Sequence, residues 1–157
     1  MNKNDILYKI YKALSLTLDD MIKIYELEKH EITKEHVESL FKEQQDKDYA
    51  SCSYEELGLF LDGLVAFKRG PSPKKSNSSE VVELTNNLII KKLRIALELK
   101  EPEIEIIFSL GEAELTKQQL SSLFRKETHK NFKLCSDELL IAFLDGLDEF
   151  YYDGEEI

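Results

Sequence analysis

The sequence has little of several residue types that mark other protein classes. It holds two cysteines, three prolines, six glycines and no tryptophan in 157 residues. Two cysteines do not make the disulfide framework of a small secreted domain, and the scarcity of glycine and proline disfavours a turn-rich β fold. No apolar run approaches the roughly 18 residues that a membrane-spanning helix needs. These absences favour a helical protein with reduced thiols, which we expect in the cytoplasm.

Positive charge is also scarce. The chain carries 21 basic and 31 acidic side chains, which gives a formal net charge of −10. This balance disfavours a protein that coats nucleic acid, because phosphate binding needs clustered lysine and arginine. We therefore expect a protein partner first, keep nucleic acid as an alternative and expect no membrane. Part of the acidic excess lies in the tail DEFYYDGEEI, which we interpret as a solvated end.

Motifs that identify enzymes and metalloproteins are missing as well. The sequence has no glycine-rich phosphate loop, no C-x-x-C pair and no H-E-x-x-H helix. Cys52 and Cys135 each precede a predicted helix, but no histidine recurs at matching positions to serve them as a base. We interpret both thiols as buried structural groups, and we expect no metal, no cofactor and no catalytic residue.

What the sequence does contain is an internal duplication. The pentapeptide FLDGL occurs at Phe60–Leu64 and again at Phe143–Leu147, 83 residues later. The same shift pairs ITKEHVESLFK with LTKQQLSSLFR and CSYEELGLFLDGLVAF with CSDELLIAFLDGLDEF, without a gap. A match of this extent at a fixed period indicates a repeated structural unit. We divide the chain into a first repeat at 1–70, a linker with the start of the next helix at 71–86, and a second repeat with the acidic tail at 87–157.

Each repeat is predicted to form four helices. Apolar residues recur at helical spacing, with a first helix over about residues 4–16, and no stretch alternates with the period of a strand. Helix starts are indicated by capping-box pairs, in which a hydroxyl and an acid or amide satisfy free backbone N–H groups. These pairs are Thr17 with Asp20, Ser53 with Glu56, and Thr116 with Gln119. The predicted fold is all-α, with two tandem four-helix repeats related by a pseudo-twofold axis.

The pentapeptide lies on the fourth helix of each repeat. Phe60, Gly63 and Phe67 share one helix face, since their spacing is i, i+3 and i+7. The second repeat has the same motif at Phe143, Gly146 and Phe150. A glycine inside a helix costs about 1 kcal/mol relative to alanine, so its recurrence predicts that another backbone comes close. We interpret this set as a packing motif.

The two aspartates of the pentapeptide leave three interpretations open. Asp62 and Asp145 lie toward the helix flank, where an aspartate has poor helix propensity. They could belong to a solvated face, or accept from a helix N-terminus or from a repeated cation, with Lys9 and Lys92 as candidates. They could also bind a ligand or act as catalytic carboxylates.

Repeated cations define a further candidate site. The matching pairs, Lys9 with Lys92, Lys34 with Lys117 and Lys47 with Lys130, could form a symmetric anion site or the polar faces of helices. The run KKLRIAL places Lys91, Lys92 and Arg94 on one helix. We regard the segment from Lys68 to Arg94 as the candidate nucleic-acid interface. TKEHVESLFK resembles half of a helix-turn-helix, but its outward acids and amides disfavour a DNA recognition helix.

Several of these stretches together resemble a known family. NNLIIKKLRIALELKEPEI, HKNFKLCSDELL and the two FLDGL motifs, the first followed by VAFKRG, are similar to the bacterial YehS-like proteins. That family has unknown function and carries two copies of its domain per chain. The resemblance covers nearly the whole chain and implies a small bacterial cytosolic protein. It supplies no activity, cofactor or catalytic residue.

The leading functional prediction is a non-enzymatic binding or regulatory module with a groove between the repeats. One alternative is nucleic-acid or transcription-linked binding through the central basic segment. Another is a small enzyme that uses Asp62 and Asp145.

Overall fold

The computed structural model describes residues 2–70 and 84–152, and the predicted all-α fold is confirmed there: each repeat forms four helices. Most of the predicted linker, at 71–83, and the acidic residues at 153–157 lie outside the described residues. The helices are α1 (Lys3–Ala13), α2 (Leu18–Leu27), α3 (Lys34–Leu40), α4 (Tyr54–Arg69), α5 (Asn86–Leu97), α6 (Glu101–Leu110), α7 (Lys117–Leu123) and α8 (Asp137–Phe150). None of these helices is long and apolar enough to cross a membrane.

Side-chain caps open the helices where the sequence indicates. The Thr17 hydroxyl accepts a hydrogen bond from the Asp20 backbone N–H at 3.0 Å, and the Asp20 carboxylate accepts one from the Thr17 N–H at 2.9 Å. Equivalent capping boxes are formed by Ser53 with Glu56 and by Thr116 with Gln119. A cap of this kind contributes about 1 kcal/mol, so the helix boundaries are encoded locally.

The first helix ends three residues earlier than the predicted boundary at residue 16. Ser15 has a φ of 53°, in the left-handed region, and this residue redirects the chain toward the cap of α2. Leu16 is nevertheless buried, because the turn carries its side chain back into the core. Glu98 repeats this conformation after α5, also with a φ of 53°. An apolar periodicity therefore continues past the point where the helix itself ends.

The two repeats interlock. α1 packs chiefly on α8 of the second repeat, and α5 packs chiefly on α4 of the first repeat. These four helices form a central ring, with α2 packed on the outside of α4 and α6 on the outside of α8. The first helix of each repeat thus completes the core of the other repeat, so the two halves form one structural unit.

The phenylalanines of the repeated motif contribute unequally to the core. Phe60 and Phe143 are fully buried. Their rings meet an aromatic ring of the second helix of the same repeat: Tyr25 at 6.2 Å between centroids for Phe60, and Phe108 at 5.1 Å for Phe143. The outer residues of the motif, Phe67 and Phe150, are partly buried and pack against the edge of the core.

The repeated glycines lie where helices touch backbone to backbone. A Cβ atom at Gly63 would overlap the carbonyl oxygen of Ile24 in α2, and one at Gly146 would overlap the equivalent oxygen of Ile107 in α6. Any side chain at these positions would force the paired helices apart. The same close approach therefore fixes α2 on α4 and α6 on α8.

Candidate functional site

Asp62 and Asp145 form ion pairs between the repeats. The Lys9 ammonium group on α1 donates to Asp145 Oδ1 on α8 at 2.9 Å. The Lys92 ammonium group on α5 donates in the same way to Asp62 on α4. The Asp145 and Asp62 side chains are 53% and 45% exposed, so water screens both pairs. Each carboxylate thus lies at the junction of the interlocked helices, bound to a lysine of the other repeat.

Lys91 and Arg94, the two other cations of the run KKLRIAL on α5, have different surroundings. Lys91 is exposed to solvent. The Arg94 guanidinium group lies over the ring of Phe124, 5.0 Å from its centroid, in a cation–π contact. Lys91 therefore presents its charge to solvent, while Arg94 lies along the side of the loop that follows α7.

A buried asparagine, which sequence reasoning missed, holds that loop in place. The Asn87 side-chain amide donates to the carbonyl oxygens of Leu123 and Lys133, both at 2.9 Å, and its Oδ1 accepts from the Cys135 N–H at 2.9 Å. Two of the bonds are buried and the bond to Lys133 is partly buried, so the amide fixes both ends of the loop on α5.

The first repeat contains the same asparagine contact. Asn4 donates to the carbonyls of Leu40 and Ala50 and accepts from the Cys52 N–H and from the Tyr49 hydroxyl. The signal was present in the sequence: Asn4 and Asn87 are identical polar residues at matching positions on otherwise apolar helix faces. A polar residue that recurs on a buried face indicates a structural hydrogen-bond site.

The two cysteines are buried and free. Burial raises the pKa of the Cys52 thiol to about 12, with a further contribution from the nearby Glu56 carboxylate. Burial likewise raises the pKa of Cys135 to about 11, helped by Asp137. Both thiols are therefore neutral at physiological pH and poor nucleophiles. Among the described residues, no group of three or more His, Cys, Asp or Glu side chains is placed to hold a metal ion.

A cavity lies between the repeats, on the pseudo-twofold axis. Its volume is about 360 Å³. It is lined by four residues of the first repeat and by their four equivalents in the second: Ala13, Leu14, Ser15 and Lys68, with Ala96, Leu97, Glu98 and Tyr151. The floor is small and apolar, whereas the rim differs between the two sides. The cavity lies between the repeats, where the leading functional prediction puts a groove, and its use for binding stays a prediction.

A second cavity, of about 460 Å³, is lined by residues of the first repeat alone. Tyr8, Phe41 and Tyr49 contribute aromatic surface to it, and polar side chains of the loop after α3 complete it. The rings of Tyr8 and Phe41 are 5.3 Å apart in an edge-to-face contact. At the equivalent place in the second repeat, Lys91 replaces Tyr8, so aromatic surface in one copy is exchanged for positive charge in the other.

The clearest difference between the repeats lies in the third helix and the loop after it. Residues 33–51 of the first repeat carry three basic and five acidic side chains, a net charge of −2. The equivalent residues 116–134 carry five basic and one acidic side chain, a net charge of +4. We call residues 116–134 the basic surface. Its cations are Lys117, Arg125, Lys126, Lys130 and Lys133, all exposed.

A polar cavity adjoins these cations. It has a volume of about 440 Å³ and is lined by Thr116, Gln118, Gln119, Ser122, Arg125 and Asn131. The lining contains hydroxyls, amides and one guanidinium group, but no carboxylate. Backbone hydrogen bonds from the His129 N–H to the Lys126 carbonyl and from the Phe132 N–H to the His129 carbonyl make the loop a series of tight turns. The amide and guanidinium N–H groups of the lining can donate hydrogen bonds to a ligand, whereas the Ser122 hydroxyl already donates to the Gln119 carbonyl.

Comparison with known proteins agrees with the duplication. A family model described as "Protein of unknown function (DUF1456)" matches the chain twice, at residues 3–70 and 86–151. The chain is 31% identical over 147 residues to the "Uncharacterized protein YehS" of Escherichia coli (strain K12), and the match covers 94% of each chain. No solved structure matches it. The chain therefore belongs to the DUF1456 family of proteins of unknown function, in which the domain here occurs twice.

Proposed function

We propose that this protein is a cytoplasmic, non-enzymatic binding module and that the basic surface of the second repeat is its binding surface. The observation that carries the proposal is the charge difference between equivalent segments, −2 at 33–51 and +4 at 116–134. In a chain of net charge −10, a local surplus of four positive charges favours association with a negatively charged partner.

The contacts of the polar residues that recur in both repeats indicate that these residues have a structural role. Asp62 and Asp145 are bound to lysines of the opposite repeat, and neither lines one of the three cavities described above. Asn4 and Asn87 use their amides to hold loops. These roles explain why the groups occur in both repeats without requiring a reaction.

The central basic segment has less support as a binding surface than residues 116–134. Lys92 is paired with Asp62, and Arg94 covers the ring of Phe124. Lys91 is exposed, and because Arg94 follows it by one helical turn, it lies at the edge of the basic surface. We therefore assign Lys91 to the same proposed interface.

A matched pair of triple variants tests the proposal. Lys117→Glu/Arg125→Glu/Lys130→Glu reverses three charges on the basic surface, and Lys34→Glu/Lys42→Glu/Lys47→Glu reverses the equivalent charges of the first repeat. Retention on immobilised heparin, a sulfated polyanion, is measured as the salt concentration at elution. We expect wild type and the first-repeat variant to be retained, and the second-repeat variant to flow through.

Two results would contradict the proposal: wild-type protein that is not retained at low salt, or equal loss of retention in both triple variants. The total charge is the same in both variants, so only the location of the change differs. Circular dichroism of each variant shows whether the helices remain intact.

A further inference from the structure

We infer that the partner of the basic surface is double-stranded nucleic acid, contacted through its phosphate backbone by α7 and the loop that follows it. This inference rests on the function proposed above and specifies the partner. The residues that carry it are the five exposed cations of residues 116–134 and the neutral hydrogen-bond donors between them.

The basic residues of the first-repeat segment are kept in the second repeat, whereas its acidic residues are not. All three cations of residues 33–51 have a cationic counterpart in the second repeat, namely Lys117, Arg125 and Lys130. None of the five acids is kept, since their counterparts are Gln118, Ser121, Lys126, His129 and Asn131. The acids that disfavour the first-repeat helix as a DNA-contacting element are therefore absent from α7.

The residue types between the cations fit a nucleic acid better than an acidic protein segment. Proteins contact phosphate and sugar oxygens with Lys and Arg and also with Ser, Thr, Asn and Gln, and they use Asn and Gln to read base edges. The cavity beside Arg125 offers this set in Thr116 and three amides, without a carboxylate that would repel phosphate, while the Ser122 hydroxyl donates to the Gln119 carbonyl. The carboxylates of an acidic peptide accept from the same groups, but an acidic peptide has no base edges for Asn and Gln to read.

The aromatic residues favour a duplex over a single strand. Single-strand binding sites stack bases on exposed aromatic rings. Phe124 and Phe132, the two phenylalanines of the basic surface, are both partly buried, and Arg94 covers the ring of Phe124. The exposed His129 ring is held to the loop by a hydrogen bond that its Nδ1 accepts from the Asn131 N–H. The surface thus offers charge and hydrogen bonds rather than stacking faces.

The negative charge of the whole chain does not prevent this contact. At physiological ionic strength charges are screened over about 8 Å, so carboxylates farther than this from the basic surface repel a bound phosphate only weakly. The buried Asn87 amide holds the backbone of the loop that carries Lys126, Lys130 and Lys133 at both of its ends. Little ordering of the loop is then required when a duplex binds.

The test is fluorescence anisotropy with a labelled DNA duplex of about 20 base pairs, titrated between about 50 and 200 mM salt. Five phosphate contacts predict a slope of log K against log salt of about −4.5, and so a loss of roughly 10²- to 10³-fold in affinity over this range. We expect weaker binding to either single strand. The second-repeat triple variant should show no binding, and the first-repeat variant should bind as wild type does.

Four outcomes would overturn the inference. These are no binding of the duplex at low salt, tighter binding of the single strands, equal loss of binding in both triple variants, or tighter binding of poly-glutamate than of the duplex. Tighter binding of poly-glutamate that depends on Lys117, Arg125 and Lys130 would leave the proposed binding surface in place and replace nucleic acid with an acidic protein as its partner. If the wild-type protein is not retained on heparin, both the proposed binding surface and the nucleic-acid partner are contradicted.

Discussion

Polar side chains join the outer helices to α4 in the first repeat. The Tyr25 hydroxyl of α2 donates to the Glu56 carbonyl at 2.9 Å, and Nε2 of His36 in α3 lies 2.6 Å from the Glu56 carboxylate. The equivalent residues of the second repeat are Phe108, Leu139 and Gln119. The same arrangement of helices is therefore held by hydrogen bonds in one copy and by apolar packing in the other, which shows that the repeated frame does not depend on these particular bonds.

What the copies share is instead concentrated where helices meet. Gly63 and Gly146 admit a neighbouring backbone, and Asn4 and Asn87 satisfy buried loop groups. The outer surfaces differ in charge, with −2 in one segment and +4 in its counterpart. The inner contacts define the fold, and the outer difference is where we locate the function.

The largest expected effect comes from filling the helix contacts. Gly63→Leu and Gly146→Leu should each destabilise the fold by about 3 kcal/mol or more, because the new side chain overlaps a carbonyl oxygen of the neighbouring helix. Thermal melting followed by circular dichroism measures the loss. Gly58→Ala is the matched control in α4: its Cβ would meet no atom within 4 Å, so it should stabilise the helix by about 0.5–1 kcal/mol. Wild-type-like melting of either leucine variant would contradict the close contact.

Removal of the buried asparagines should have the next largest effect on stability. Asn87→Ala leaves a buried carbonyl, a buried N–H and a partly buried carbonyl without their partner and should cost about 3 kcal/mol in urea unfolding. Asn4→Ala should cost more, because the Tyr49 hydroxyl also loses its acceptor. Tyr49→Phe converts the first repeat to the chemistry of the second and should cost about 1 kcal/mol. An equal cost for both asparagine variants would show that the Tyr49 bond contributes nothing.

At alkaline pH the groups of the first repeat should contribute more to the loss of stability than those of the second. Burial raises the pKa of Tyr25 above its ordinary 10.0, and it raises the pKa of Cys52 to about 12 and that of Cys135 to about 11, from 9.0. Raised pKa values favour the neutral forms in the folded state. The resulting stability is fully present below pH 9.0 and is lost as pH rises through the folded-state values.

The Tyr25→Phe variant measures how much of the loss of stability at alkaline pH comes from ionisation of Tyr25. Near neutral pH, Tyr25→Phe should lower the free energy of unfolding by about 1 kcal/mol, because the hydrogen bond to the Glu56 carbonyl is lost. Above pH 10.0 the difference from wild type should shrink, because the variant has no phenol to ionise. Urea midpoints at neutral and alkaline pH test this, and a constant difference would show that Tyr25 does not titrate on unfolding.

The cross-repeat ion pairs should have the smallest effect. Lys9→Ala and Lys92→Ala should each cost under about 1 kcal/mol, since both pairs are partly exposed and screened. The double charge exchange Lys9→Asp/Asp145→Lys should recover most of the loss caused by Lys9→Asp alone. A loss of several kcal/mol in either alanine variant, measured in urea, would mean that these pairs hold the repeats together and that packing alone does not.

Much of the fold could be predicted from the sequence, because its signals are local. The capping pairs and the helical periodicity depend on residues three or four positions apart, and the duplication is visible as a fixed shift of 83. The early end of α1 was not predictable in this way. Leu16 is buried by a left-handed turn at Ser15, and periodicity alone cannot distinguish that from another turn of helix.

The candidate site was less accessible to sequence reasoning. Lys91, Lys92 and Arg94 form one basic run, yet the fold gives each a different neighbour: solvent, Asp62 and Phe124. The charge difference between the copies is already present in the sequence, but it becomes a surface only when α7, its loop and α5 are brought together.

The sequence by itself determined the helices, their caps, the duplication and the composition of each surface, because these depend on near neighbours along the chain. Only the tertiary structure decided that α1 completes the second repeat and α5 the first, and so which lysine meets which aspartate. The physical reason is that similar apolar faces can pack on either copy. The choice between them is made by the packing contacts between the repeats, of α1 with α8 and of α5 with α4.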